Sequence, residues 1–152
     1  MGNSTYPPLL LDAMLGRLAR WLRLMGYDAA YLSDTDDLEV MRLARAEERL
    51  LLTRDRGLAA RRGVQAILIE SQELGGQLEQ VRREVGPPPE PVVSRCSLCN
   101  TPLEFLTREA ARGRVPPYIW RSQQEFTQCP NCHRVYWQGT HWQAIQEQLG
   151  ES

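Results

Sequence analysis

Four cysteines fall in two Cys-x-x-Cys pairs, Cys96/Cys99 and Cys129/Cys132, separated by 29 residues. Each pair can close one turn that offers two sulfurs to the same ion, and two such pairs complete a tetrahedral site. Four thiolates select zinc over a hard cation such as magnesium. A four-cysteine iron–sulfur site and a pair of disulfides are competing readings of the same spacing, and disulfides are disfavoured in a cytoplasmic chain. Four protein ligands would close the site, which makes its metal structural rather than catalytic. His133, next to Cys132, reads as a neighbour and not a fifth ligand. The gap between the pairs is longer than the usual template and must hold ordered structure of its own.

A second group is acidic. Asp12 directly follows the apolar run Leu9-Leu10-Leu11, and Asp55 follows Leu50-Leu51-Leu52-Thr53 one residue on. Asp37 opens a helix just past the loop that leaves a third apolar segment. If those segments are parallel strands, all three acids lie along the carboxyl edge of one sheet, where ligands bind. Three carboxylates there repel one another, and a hard divalent cation, magnesium or manganese, resolves the repulsion. Such an ion can polarise a phosphoryl oxygen and activate water. Each acid has a plainer reading alone: Asp12 as an N-cap, Asp37 as a cap or first-turn acid, Asp55 as a turn residue. Their coincidence at strand ends favours function. Asp34 and Asp36 read as loop or capping residues. Arg17 and Arg54, closest in sequence to Asp12 and Asp55, are the candidate phosphate readers. Arg23, Arg61 and Arg62 read as solvated faces.

Composition narrows the chemistry. All 18 basic residues are arginine, which removes a phosphate-loop lysine and a Schiff-base lysine. Both histidines and all four cysteines lie after residue 95, so the first 95 residues hold no Ser-His-Asp triad, no Cys-His pair and no His-ligated metal. A net charge of −1 does not advertise a nucleic-acid binder, but bound metals would supply local positive charge. Apolar residues at 42% and charged residues at 24% describe an ordinary globular chain. No apolar run approaches the ~18 residues of a membrane span. Met1 to Pro8 has neither the basic start nor the apolar stretch of a signal peptide, so the cytoplasm is the expected compartment.

The elements that must position these groups alternate. Strands are expected at 9–11, 29–32, 50–53 and 64–69. Helices are expected at 13–25, 37–48 and 71–85, with a short turn at 58–62. Leu15, Leu18, Ala19, Leu22 and Met25 share one face of the first helix. Leu38, Met41 and Ala44 are expected to face inward from the second, and Leu74, Leu78, Val81 and Val85 from the third. Alternation with near-continuous apolar strands indicates an α/β fold, a parallel sheet covered on both faces. Gly86-Pro87-Pro88-Pro89-Glu90-Pro91 interrupts the pattern. The expected division is a domain over 1–86, a Pro-rich linker over 87–94 and a small cysteine-bearing domain over 95–152. A last helix is expected from about His141 to Leu149, with Thr140 and Gln143 as a capping box. Some 60 residues with few aliphatics need a metal staple to fold.

These residues together resemble a known family. The segment from Asp12 to Tyr27, DAMLGRLARWLRLMGY, is similar to the opening of the Mut-seven C-terminal ribonuclease domain family. So are Asp37-x-x-Val40-Met41-x-x-Ala44, the run Leu51 to Leu58, the two cysteine pairs and the stretch Val135 to Trp142. The resemblance implies a PIN-like α/β domain fused to a zinc ribbon. It implies a nuclease that cuts RNA with magnesium or manganese held by Asp12, Asp37 and Asp55. Arg56 and Gly57 stand where PIN domains often carry another acid. The expected partner is single-stranded RNA, helped onto the ribbon by arginines and by Trp120 and Trp137, which read equally as core residues of a ribbon with few aliphatics. The alternative is a non-catalytic nucleic-acid or protein adaptor on a degenerate PIN-like scaffold.

Overall fold

A computed structural model describes residues 7–33, 36–89 and 92–137. The expected helix near His141–Leu149, its Thr140–Gln143 cap and Asp34 lie outside the described residues.

Four short strands form one parallel sheet: β1 (Leu9–Leu11), β2 (Ala29–Tyr31), β3 (Leu50–Thr53) and β4 (Ala66–Leu68). Their order is β2-β1-β3-β4. Four helices cover it: α1 (Gly16–Leu24), α2 (Asp37–Ala46), α3 (Arg56–Ala59) and α4 (Leu74–Glu84). Strand side chains alternate between faces, so one leucine run serves two cores. Leu9, Leu11 and Leu52 pack with Leu15, Leu18 and Leu22 ahead of and along α1 and with Leu74, Leu78 and Val81 of α4. Leu10 and Leu51 pack on the other face with Val40, Met41 and Ala44 of α2 and Leu58 of α3.

The first helical stretch splits into a 3-10 turn at Ala13–Leu15 and α1, with Gly16 at the junction. A Cβ at Gly16 would stand 2.9 Å from the Tyr31 hydroxyl oxygen, so the ring of β2 closes over it only because glycine is there. In α2 the inward face is Val40, Met41 and Ala44, whereas Leu38 is 71% exposed. Residues 38, 41 and 44 drift around a 3.6-residue helix, and the pair 40/41 with 44 holds the face better. Leu18→Ala should therefore cost about 2–5 kcal/mol in urea unfolding, and Leu38→Ala no more than about 0.5 kcal/mol.

Two side-chain amides lie along the outer strands of this sheet. Gln80 of α4 accepts from the Glu70 N–H at 2.9 Å and donates to the Leu68 carbonyl at 2.8 Å, beside β4. Asn100 accepts from the Ala29 N–H of β2 at 3.1 Å.

After Pro89 the chain returns to α1. The Ser94 hydroxyl donates to the Leu24 carbonyl at 2.7 Å and the Arg95 N–H to the Arg23 carbonyl at 2.8 Å, satisfying the helix end. Gly26, at φ +105°, lies under Val92 and Val93, where a Cβ would meet Val92 Cγ1 at 3.1 Å. A second, antiparallel sheet follows: β5 (Glu104–Leu106), β6 (Phe126–Gln128) and β7 (Val135–Trp137). Two short helices, α5 (Arg108–Ala111) and α6 (Pro117–Ser122), fill the interval between the cysteine pairs. They bury Ala111 and Val115 with Leu106 and Phe126 as a separate small core. Among the described residues no helix is long and apolar enough to cross a membrane.

Candidate functional site

Parallel register decides which groups meet at the carboxyl edge. Leu11 pairs with Leu52, so the next residues, Asp12 and Thr53, stand side by side. The Thr53 hydroxyl donates to Asp12 Oδ2, and Asp12 Oδ1 caps the following turn by accepting from the Met14 N–H at 3.3 Å. Thr53 Oγ1 also accepts from the Asp55 N–H at 3.0 Å. Asp55 in turn caps α3 through the Leu58 N–H at 3.1 Å. One buried hydroxyl thus ties two of the three aspartates together. Asp12 is buried, whereas Asp55 is open to solvent.

Asp37 sits one residue inside α2. The cap is Asp36, which accepts from the Glu39 N–H at 3.0 Å, so the Asp37 carboxylate is not spent on the helix end. It is half exposed, 4.0 Å from the Arg61 guanidinium. The three acids share the edge without their oxygens gathering into one tight group: among the described residues, only the cysteines place three or more ligand atoms within 4.8 Å. Arg17 is exposed on α1. Arg54 Nη1 donates to the Ile69 and Ser71 carbonyls at 3.2 and 2.8 Å, which holds the segment leaving β4.

The sulfurs of Cys96, Cys99, Cys129 and Cys132 all lie within 4.8 Å of one another, with Cys96 and Cys132 at 3.7 Å. A tetrahedral zinc with bonds of about 2.3 Å places its sulfurs about 3.8 Å apart. All four cysteines are unpaired as disulfides. The two pairs are built alike. The residue after each second cysteine is left-handed, Asn100 at φ 62° and His133 at φ 66°. Each returns its N–H to the first cysteine's carbonyl at 2.8 Å. The Asn131 and Cys132 N–H groups donate to Cys129 Sγ at 3.3 and 3.4 Å, and Asn131 Nδ2 reaches across to Cys99 Sγ at 3.2 Å. Burial opposes ionisation of Cys96, but the Tyr136 hydroxyl at 3.1 Å and the Cys99 and Leu98 N–H groups outweigh it and bring the thiol to about 7. Four close sulfurs held by N–H and O–H donors can bind zinc. His133 is not among the four ligands.

A family model described as the Mut7-C RNAse domain matches residues 7–149. The chain belongs to that family. No curated protein and no solved structure matches it. The match spans both sheets, so the Mut7-C unit includes the cysteine ribbon as well as the carboxyl edge.

The two parts of this Mut7-C chain are joined by a buried polar seam that the sequence did not reveal. Arg23 is 9% exposed and not on a solvated face. Its Nε donates to the Ala29 carbonyl and its Nη1 to the Ser97 carbonyl, both at 2.7 Å. Burial lowers its pKa, and the sulfurs of Cys96 and Cys99 and the Asp28 carboxylate push back. Asp28 accepts from Asn100 Nδ2 at 2.7 Å and from Arg49 at 2.9 Å. Burial opposes ionisation of Asp28, but these partners win and hold its pKa below the usual 3.8. A depressed carboxylate stabilises the fold fully above its unfolded pKa, and that contribution is lost as pH falls through the folded value. Acid unfolding below pH ~4 should therefore weaken the wild type more than Asp28→Asn, followed by circular dichroism.

Trp120 is no stacking platform. Its ring packs on the small core, its N–H donates to the Arg108 carbonyl at 2.9 Å, and the Arg108 and Arg112 guanidiniums stand 4.2 and 5.0 Å from its centroid. Trp137 is 36% exposed. Thr53 was the residue missed at the acidic edge. A hydroxyl in a leucine strand, just ahead of an acid, must find a partner when buried, and that was the available signal.

Proposed function

We propose that this Mut7-C chain is a divalent-metal-dependent ribonuclease that hydrolyses phosphodiester bonds of single-stranded RNA in the cytoplasm. The Thr53 bridge between Asp12 and Asp55 at a parallel carboxyl edge carries the reading. The donor set there is all oxygen, which fits a magnesium or manganese ion that keeps part of its water shell and takes few carboxylates. When bound, such an ion supplies Lewis acidity toward a phosphoryl oxygen and toward water. Thr53 and the Met14 N–H orient Asp12 while leaving lone pairs on both its oxygens. Asp55 and Asp37 complete the acidic edge from the first turns of α3 and α2. Arg17 neutralises substrate phosphate. Arg54 holds the segment leaving β4 with Nη1, and three of its five N–H donors remain without a partner among the described residues. Residues 1–86 carry the chemistry, 87–94 join it to the ribbon, and 95–152 hold a structural zinc through Cys96, Cys99, Cys129 and Cys132.

The two metals give the test. Mild chelation should strip the weak oxygen site and spare the thiolate site, whose zinc is held with ~10–16 kcal/mol in finger peptides. Cleavage of single-stranded RNA should stop while zinc content persists, and magnesium or manganese should restore it. Activity that survives chelation, or returns only with zinc, rejects the carboxylate mechanism. The half-exposed Asp37, 4.0 Å from Arg61, favours the second reading, a non-catalytic adaptor. Binding of RNA without cleavage under manganese would establish it.

A further inference from the structure

The two cysteine knuckles are alike in backbone but not in employment. In the first, Asn100 spends its side chain on Asp28 and Ala29, and Ser97 takes Arg23. That knuckle is committed to the parallel sheet. The second knuckle borders an open concavity of about 500 Å3 lined by Cys132, His133, Arg134 and Val135, with Leu98 and Arg114 opposite in sequence. No acid lines it.

Arg114 is already oriented there. Its Nη1 donates to Gln128 Oε1 at 2.9 Å and its Nη2 to the His133 carbonyl at 2.6 Å. Three of its N–H donors stay without a partner among the described residues. The Arg134 guanidinium has no hydrogen bond or ion pair among the described residues. The surrounding segment 92–137 holds six arginines against three glutamates. Two permanent cations, one pre-set by hydrogen bonds, in a concave site free of acids match a phosphodiester, which guanidinium binds in a bidentate fork.

We propose that the concavity beside the second knuckle is an RNA-backbone site, in which Arg114 and Arg134 take successive phosphates at a distance from the carboxyl edge. The proposal rests on the ribonuclease reading for its choice of RNA over other polyanions. A fluorescein-labelled 12-nucleotide single-stranded RNA, titrated with the zinc-loaded full chain at several salt concentrations and without magnesium or manganese, tests it. Arg134→Glu breaks no side-chain hydrogen bond or ion pair among the described residues and should weaken binding about tenfold. Arg114→Ala with Arg134→Ala should also flatten the logarithmic salt slope by about 1.4, the share of two phosphates on a single strand. Zinc content and thermal unfolding, measured alongside, show whether the double variant is folded; Arg134→Glu decides if it is not. Unchanged affinity and slope in Arg134→Glu, or no RNA binding by the wild type, overturns the site. Cleavage by the wild type under manganese separates the two claims. Cleavage with an indifferent Arg134→Glu rejects the concavity alone, whereas weakened binding without wild-type cleavage supports the concavity and rejects the nuclease.

Discussion

Asp12→Asn should lower RNA cleavage by about 100- to 1,000-fold, the equivalent of ~3–4 kcal/mol of transition-state stabilisation. The expectation follows from how Asp12 is held. It is buried beside Thr53 and fixed at both oxygens. An asparagine has the same shape and can still accept from the Met14 N–H, but it carries no charge to hold a cation. Stability should change by no more than about 1 kcal/mol, because lost hydrogen-bond strength is offset by relief of like-charge repulsion along the edge. Thr53→Val supplies the companion measurement: it removes the bridge between Asp12 and Asp55 while both carboxylates remain. Its activity should fall between wild type and Asp12→Asn. A folded Asp12→Asn protein that cleaves at the wild-type rate would remove the acidic edge from the mechanism. A loss of several kcal/mol in stability would instead mark Asp12 as a structural cap.

Cys129→Ser should release the zinc proposed for the ribbon and destabilise far more than the ribbon. Its direct effect is to unravel two knuckles whose sulfurs lie within 4.8 Å. The first knuckle also carries Asn100 and Ser97, the partners of Asp28, Ala29 and Arg23 in the other domain. When that knuckle opens, the buried Arg23 and the Ala29 N–H lose partners, at roughly 1–3 kcal/mol for each unsatisfied buried group. The parallel sheet should therefore lose about 3 kcal/mol or more in a protein that retains its α/β circular dichroism. Native-state hydrogen exchange reads this directly at the Ala29 amide and at Leu9–Leu11. Protection there that is indifferent to Cys129→Ser would mean that residues 1–86 fold without reference to the ribbon.

Much of this arrangement was legible from residue type and spacing. The strand-helix alternation, the parallel sheet and the closeness of the four sulfurs follow from apolar periodicity and from Cys-x-x-Cys spacing. These are local signals tied to the rise and turn of the chain. What escaped was long-range or depended on rotation about a helix. Leu38 was expected inside because it is apolar, but rotation of α2 presents Val40 instead. Arg23 looked like a third member of a solvated arginine row with Arg17 and Arg20, and only the returning chain at Ser94–Ser97 buries it. Asn100 carries no mark in the sequence beyond following a cysteine, although the left-handed turn there favours asparagine. The interval of 29 residues between the pairs did demand internal structure, and α5, α6 and the small core around Phe126 supply it. The carboxylates were placed by strand ends, but their separation from one another could not be, because it depends on the loop before α2 and on which of Asp36 and Asp37 takes the cap.

The amides of Asn100 and Gln80 have a consequence for how this chain behaves in company. An open sheet with bare outer strands is a template on which another chain can add its own strand, and proteins blunt such edges to stay apart. Here the β4 side is shut by an amide from within the same domain, on a helix that stays as long as the domain does. The β2 side is shut by Asn100, on a turn of the cysteine ribbon, and by Arg23 of α1, which caps the Ala29 carbonyl but is itself anchored on Ser97 of that turn. Loss of the zinc proposed for the ribbon would therefore do more than loosen a small appendage: it would weaken the guard on one flank of a leucine-rich sheet. The zinc proposed for the ribbon would then act as a guard against aggregation, and zinc-starved protein is expected to leave solution by strand-to-strand association through β2 while the β4 flank stays closed.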